Sequence, residues 1–149
     1  MTSEFRRAAR LVVVDSRNRV LLLQHARPTG QKFWATPGGG LEDGETLEEA
    51  AAREALEELG VSNPHLQALC DRAADFELVA RQVHQTERFF LLRFEWRQFD
   101  DVVREVHSRE GILEARWWSL AELSDSNELI FPEDLAEIVR CATRGEESQ

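Results

Sequence analysis

Cysteine is scarce: the chain of 149 residues holds two, Cys70 and Cys141, far apart and without the paired spacing of a zinc site or disulfide framework. A fold stapled by disulfides is thereby excluded, and a reduced, cytoplasmic compartment is the expectation. Long apolar runs are also missing. The stretches at residues 11–14 and 20–23 hold four residues each, far short of the roughly 20 that cross a bilayer. The arginines of the first ten residues are not followed by an apolar stretch of signal-peptide length, so neither secretion nor a membrane partner is expected. Positive charge is in deficit. A net charge of −10 repels a nucleic-acid backbone over a Debye length, which argues against a long nucleic acid as ligand. Lys32 is the single lysine, a bias that carries no functional weight.

What is present suits a folded chain. With 42% hydrophobic and 31% charged residues it can bury a core, and its length fits one domain over residues 1–149. Residues 8–15 (AARLVVVD) and 20–24 (VLLLQ) flank a polar turn and predict two adjacent strands in a hairpin. Residues 26–32 read as a loop that leads to Gly38, Gly39 and Gly40. Three consecutive glycines let the backbone approach a ligand or another strand closely. Thr46 with Glu49 makes a capping box, residues 47–59 are rich in Ala, Leu and Glu, and Gly60 is a stop, so a helix is predicted there.

Further along, residues 66–76 are a weaker strand candidate and 86–96 a strong one. The polar stretch 99–111 reads as a long loop. Residues 115–120 read as a late strand running into a helical turn at 120–123. Pro132, placed in a first turn, and apolar Leu135, Ile138 and Val139 predict a closing amphipathic helix. The tail after about residue 143 is expected to be flexible. Strands on both sides of a helix imply an α/β domain with helices packed on a sheet.

The predicted helix carries Arg53, Glu54, Glu57 and Glu58. At roughly 100° per residue, positions 54, 57 and 58 leave one face within about a turn of each other. Like charges so placed repel, by a few tenths of a kcal/mol per pair, roughly. A hard divalent cation with oxygen ligands removes that repulsion, and Mg2+ keeps its remaining positions for water and phosphate. A plainer reading stands beside this one: a solvated acidic face, with Arg53 paired to Glu49 or Glu57 four residues away.

The order of the neighbours separates the two. From Gly39, five residues lead to Glu45, seven more to Arg53 and Glu54, and then follow Ala55, Leu56, Glu57, Glu58, Leu59, Gly60 and Val61. This run resembles the Nudix box, G-x5-E-x7-R-E-U-x-E-E-x-G-U with U a bulky aliphatic residue. Every fixed position is matched, and Ala55 is the one small residue where the family prefers a larger one. The approach, Trp34-Ala35-Thr36-Pro37-Gly38-Gly39, looks like the family's as well.

The resemblance implies a Nudix fold, an α/β/α sandwich with a mixed sheet. It also implies Mg2+-dependent hydrolysis of the diphosphate linkage in a nucleoside diphosphate derivative or nucleoside triphosphate, Mn2+ substituting for Mg2+. Glu57 and Glu58 would be the principal metal ligands. Glu54 would be a further ligand or the base that deprotonates the attacking water. A carbonyl of Gly38 or Gly39 would complete the metal shell, Arg53 would pair with a box carboxylate, Glu57 foremost, and Glu45 would brace the loop. The family often draws another acid from the segment before the late strand, for which Glu110 and Glu114 are candidates, each also readable as a solvated acid. Arg27 is a candidate phosphate contact, with a plain surface arginine as the rival reading.

Phe89, Phe90 and Trp34 could stack on a base or fill the core, and the four histidines show no ligand spacing. A proline about sixteen residues past the box, usual in the family's ADP-ribose subgroup, is not found; Phe76 stands near that position. The expected partner is a small nucleotide, with a second copy of the chain in a homodimer left open. Non-catalytic members that regulate a partner commonly lose box carboxylates, and none is lost here.

Overall fold

The computed structural model describes residues 2–78, 80–95 and 99–147, with side chains left aside at 76–78 and 145–147. Its elements in chain order are β1 (Thr2–Val14), β2 (Val20–Ala26), β3 (Lys32–Ala35), β4 (Gly38–Gly40), α1 (Leu47–Leu59), β5 (Gln67–Leu78), β6 (Arg81–Arg93), α2 (Asp101–Arg109), β7 (Glu114–Trp118), α3 (Leu120–Asp125), β8 (Ile130–Phe131) and α4 (Leu135–Glu147). One mixed sheet runs in the order β5-β6-β1-β2-β3-β8, with β4 added on β1 and β7 on β2. The pairing of β1 with β6 is parallel from Thr2↔Arg81 to Val14↔Arg93. Helices on a mixed sheet are what the resemblance implies.

The period of two along β1 divides the core. Ala9, Leu11 and Val13 face one side, where they meet Ala50, Ala51, Ala55 and Leu59 of α1 and Val103 of α2. Val12 and Val14 face the other side and meet Leu135, Ile138 and Val139 of α4. Each layer therefore buries one stripe of a helix against one face of the sheet. The alanines matter for spacing. Ala50, Ala51 and Ala55 are fully buried, so the backbone of α1 lies close to β1, and the small residue at 55 serves that approach. A capping box from Thr46 and Glu49 starts the helix, and Gly60 ends it in the left-handed region at φ 74°.

Several elements differ from the sequence reading. The expected hairpin of β1 and β2 is paired only beside the turn, at Val14↔Val20. Farther back, the edge of β1 is taken by β4, with Ala8↔Gly40 and Arg10↔Gly38, and the amide of Leu11 donates to the carbonyl of Pro37. The glycines of β4 allow this. At Gly38, with φ 137°, a Cβ would stand 2.2 Å from the carbonyl oxygen of Ala9.

The stretch read as a loop at 99–111 contains α2, capped by the Asp100 carboxylate on the amide of Val103 at 2.9 Å. Its buried side chains are Val103, which packs against α1, Val106 and His107, while the rest of it faces water, and such a narrow stripe left little trace in the composition. The late strand starts at Glu114, and the following turn is a full short helix. Pro132 precedes α4, which starts at Leu135 and keeps helical backbone to Glu147, beyond the point at which the pattern weakens. The strand expected at 86–96 runs instead from Arg81 to Arg93, and Trp96 lies outside the described residues. Among the described residues no helix is long and apolar enough to cross a membrane.

Candidate active site

The site is built where α1 passes the glycine strand β4. Glu54 and Glu58, one helical turn apart, are buried at 6% and 4% exposure. Two carboxylates are not normally buried unless something compensates them. Glu58 accepts a hydrogen bond from the amide of Gly38 at 3.2 Å. Glu54 reaches the loop at Gly39, where a Cβ would lie 2.8 Å from its Oε1, so the missing side chain of Gly39 is what leaves room for that carboxylate.

Arg53 is the organiser of the cluster. Its Nε and Nη2 grip Glu45 at 2.8 and 3.0 Å, and its Nη1 reaches Glu54 at 3.0 Å and Glu57 at 3.4 Å. Nη2 also donates to the carbonyl of Gly40 at 3.0 Å. The sequence reading paired Arg53 foremost with Glu57; the two-pronged partner is Glu45, because a planar guanidinium matches a carboxylate in that geometry and the turn at 40–45 brings Glu45 edge-on. Arg53 holds the Glu45 carboxyl below its usual range, helped by the amide of Glu42. The box glutamates shift the other way. Burial, followed by the charge of Glu54, raises Glu57. For Glu58, burial comes first, then the charge of Glu54 and a hydrogen bond shared with it, then the charge of Glu110, opposed by the Gly38 amide; together they push its pKa up to about 9.

Not every residue singled out in the sequence is in this cluster. Glu110, at the C-cap of α2, lies close enough for its charge to reach both Glu57 and Glu58. Glu114 is exposed on β7 beside Leu113 and Ala115, facing a different cleft with Arg104 and Ser108. Arg27 bonds to Gln31 at 2.8 Å and lies over the rings of Phe33 and Phe131 at 5.7 and 5.8 Å. Phe89, Phe90 and Trp34 are core, which favours the plainer of their two readings. Among the described residues no three His, Cys, Asp or Glu side chains already converge as a metal cage; Glu54 and Glu58 stand together, and Glu57 turns toward Arg53 at the surface.

Beside the cluster opens a cavity of about 540 Å3, lined among others by Arg10, Arg27, Phe33, Asp75, Glu87 and Phe131. Its size is within the roughly 300–1,000 Å3 of small-molecule sites. Arg10 stands at its border: Nε donates to Glu87 at 2.7 Å and Nη1 to the carbonyl of Gly38 at 3.2 Å. The sequence reading missed Arg10 and His107. An arginine inside the apolar run AARLVVVD was the available signal for the first. His107 gave none until α2 was known; it is buried and its ring meets Phe99 edge-on at 4.9 Å.

A model of the NUDIX domain matches residues 4–140. A Mycobacterium tuberculosis protein bearing the name mutator protein MutT4 is 34% identical over 107 residues, 64% of this chain but 42% of that protein. The chain thus matches less than half the length of that relative. An 8-oxo-dGTP diphosphatase of Proteus vulgaris is 38% identical over 87 residues, 58% of this chain and 73% of that one. The crystal structure of a MutT NUDIX hydrolase from Burkholderia pseudomallei superposes with a TM-score of 0.65 at 24% identity, covering 89% of this chain and 95% of that one.

Proposed function

The chain belongs to the NUDIX domain family, and from that premise we propose that it is a hydrolase of the diphosphate linkage in nucleoside diphosphate derivatives or nucleoside triphosphates, dependent on Mg2+ or Mn2+. The observation that carries the reading is the burial of Glu54 and Glu58 side by side against Gly38 and Gly39, with one arginine among the acids. The donor set fits a hard divalent cation. Four acids, counting Glu57 and Glu110, act on one another there, and oxygen ligands in excess of positive charge are what such an ion satisfies. Glu54, Glu57 and Glu58 would hold it, joined by a carbonyl of the glycine strand. When bound, Mg2+ supplies charge neutralisation of the phosphates and acidification of a water.

The chain's own residues do the remainder. Arg53 fixes the rotamers of Glu54 and Glu57 while its grip on Glu45 fastens the helix to the loop. Glu54 or Glu57 takes the proton of the attacking water. The new bond joins the water oxygen to phosphorus and the P–O bond of the anhydride breaks, leaving two phosphorylated fragments, or a nucleoside monophosphate and pyrophosphate from a triphosphate. The names of the relatives put damaged purine triphosphates among the substrates to try.

The test is a panel of nucleoside triphosphates, ADP-ribose and dinucleoside polyphosphates incubated with Mg2+, with released phosphate read after phosphatase coupling. Turnover of at least one member that chelation abolishes is expected. Nucleotide binding without turnover of any member would instead make the chain a non-catalytic binder.

A further inference from the structure

We propose that Arg10 takes hold of the substrate's diphosphate at the mouth of the cavity, so that the nucleoside lies in the cavity, against Phe33 and Phe131, and the anhydride lies over the glycine strand. This rests on the reading of the chain as a nucleotide hydrolase and adds the direction in which the ligand lies.

Gly38 supplies the geometric link. Its amide donates to Glu58 at 3.2 Å and its carbonyl accepts from Arg10 at 3.2 Å. One residue of backbone therefore links the carboxylate cluster to the guanidinium at the cavity border. Charge points the same way. A diphosphate entering a protein of net charge −10 needs a cation besides any metal, and Arg53 is spent on Glu45, Glu54, Glu57 and Gly40. Arg27 is drawn to the rings of Phe33 and Phe131.

Arg10 keeps donors in reserve. Its short bond uses Nε, while the Nη1 contacts to Gly38 and Thr36 are longer, at 3.2 and 3.5 Å, the second at the limit of a hydrogen bond. A phosphate oxygen is a better acceptor than either carbonyl, since it carries the charge opposite to the guanidinium's and two such oxygens match its planar fork. Glu87, half-buried beside it, holds the stem and aims the outer nitrogens at the loop; it is a positioning residue. The aromatic lining suits the other half of the ligand. Phe33 and Phe131 meet at 76° and 5.8 Å and line the cavity, where they supply aromatic surface for a planar base.

The experiment titrates imidodiphosphate, a pyrophosphate that resists hydrolysis, into the Mg2+-loaded parent, Arg10→Ala, Arg10→Lys, Glu87→Gln and, as a control for the loss of one positive charge, Arg88→Ala. Affinity is expected to fall at least tenfold in Arg10→Ala and less in Arg10→Lys, which keeps the charge but loses the planar fork. Arg88→Ala should stay within about twofold of the parent, and Glu87→Gln should fall between the two. On a substrate found in the panel, Arg10→Ala should raise KM more than it lowers kcat. Arg10→Lys keeps the test decisive if Arg10→Ala melts early. Parent-like affinity in both Arg10 variants, or equal losses in Arg10→Ala and Arg88→Ala, overturns the assignment, as does a parent that does not bind imidodiphosphate. Binding through Arg10 without turnover of any nucleotide would sink the hydrolase reading and leave this one standing.

Discussion

His107 donates its Nε2 proton to the backbone carbonyl of Glu58 across 2.7 Å. The acceptor can only accept, so this nitrogen carries the proton. The carbonyl is one of those that the end of α1 leaves without an intrahelical partner. A residue of α2 thus caps the helix on which the buried carboxylates stand, and Glu110, three residues on, is carried to the same side.

Removing that bond should loosen α2. His107→Ala leaves a buried carbonyl without its donor, a loss of roughly 1–3 kcal/mol, which for a chain of this size lowers the melting temperature by several degrees. Hydrogen exchange should rise first in α2. A melt indistinguishable from the parent would show that the helix is held by Val103 and Val106 alone.

Glu57→Gln removes a charge at the surface end of the carboxylate set while conserving shape. Turnover of any substrate found should fall by a factor of about a hundred or more, in keeping with the loss of a ligand or base, with an unchanged circular dichroism spectrum. Parent-like rates would remove Glu57 from the chemistry.

Arg53→Ala releases Glu45, Glu54 and Glu57 together. The Mg2+ titration of activity should move to higher concentration, since the ligands lose the group that orients them. Arg53→Lys should restore little, a single ammonium being unable to grip Glu45 with two parallel bonds. An unshifted titration in both variants would contradict the orienting role.

Acidity should act on the metal-free protein through Glu58. Its pKa in the fold, pushed up to about 9 by burial and by Glu54, exceeds its ordinary 4.5. A raised pKa means that the fold binds the proton more tightly than the unfolded chain does. The stabilisation tied to Glu58 is therefore complete below about pH 4.5 and is lost as the pH climbs through about 9. Without Mg2+ the melting temperature should sag along that interval, less so in Glu58→Gln, while the stabilisation added by Mg2+ should grow with pH as the ion displaces the proton. Identical pH profiles for parent and Glu58→Gln would refute this.

The parts of the fold legible beforehand were those written in neighbouring residues. α1 was readable from Thr46, Glu49 and Gly60, and the box from spacing alone, because cap and carboxylates sit within a few turns of one another. The parallel seating of β1 on β6 was not, since it joins residues about eighty positions apart, and alternation along a strand does not name its partner. For the same reason the sequence showed that Arg53 needed a carboxylate without showing that Glu45 offers the better grip. Arg10 read as an interruption of an apolar run; only the meeting of β1, β4 and β6 gives it Gly38 and Glu87 as neighbours.

The many contacts of Arg53 also bear on how a reaction would begin. Helix, turn and glycine strand are tied through a single side chain, with bonds to Glu45, Glu54 and Gly40 all at 3.0 Å or less. Such a cluster is ordered before any ligand arrives, so little side-chain freedom is left to be lost when one binds.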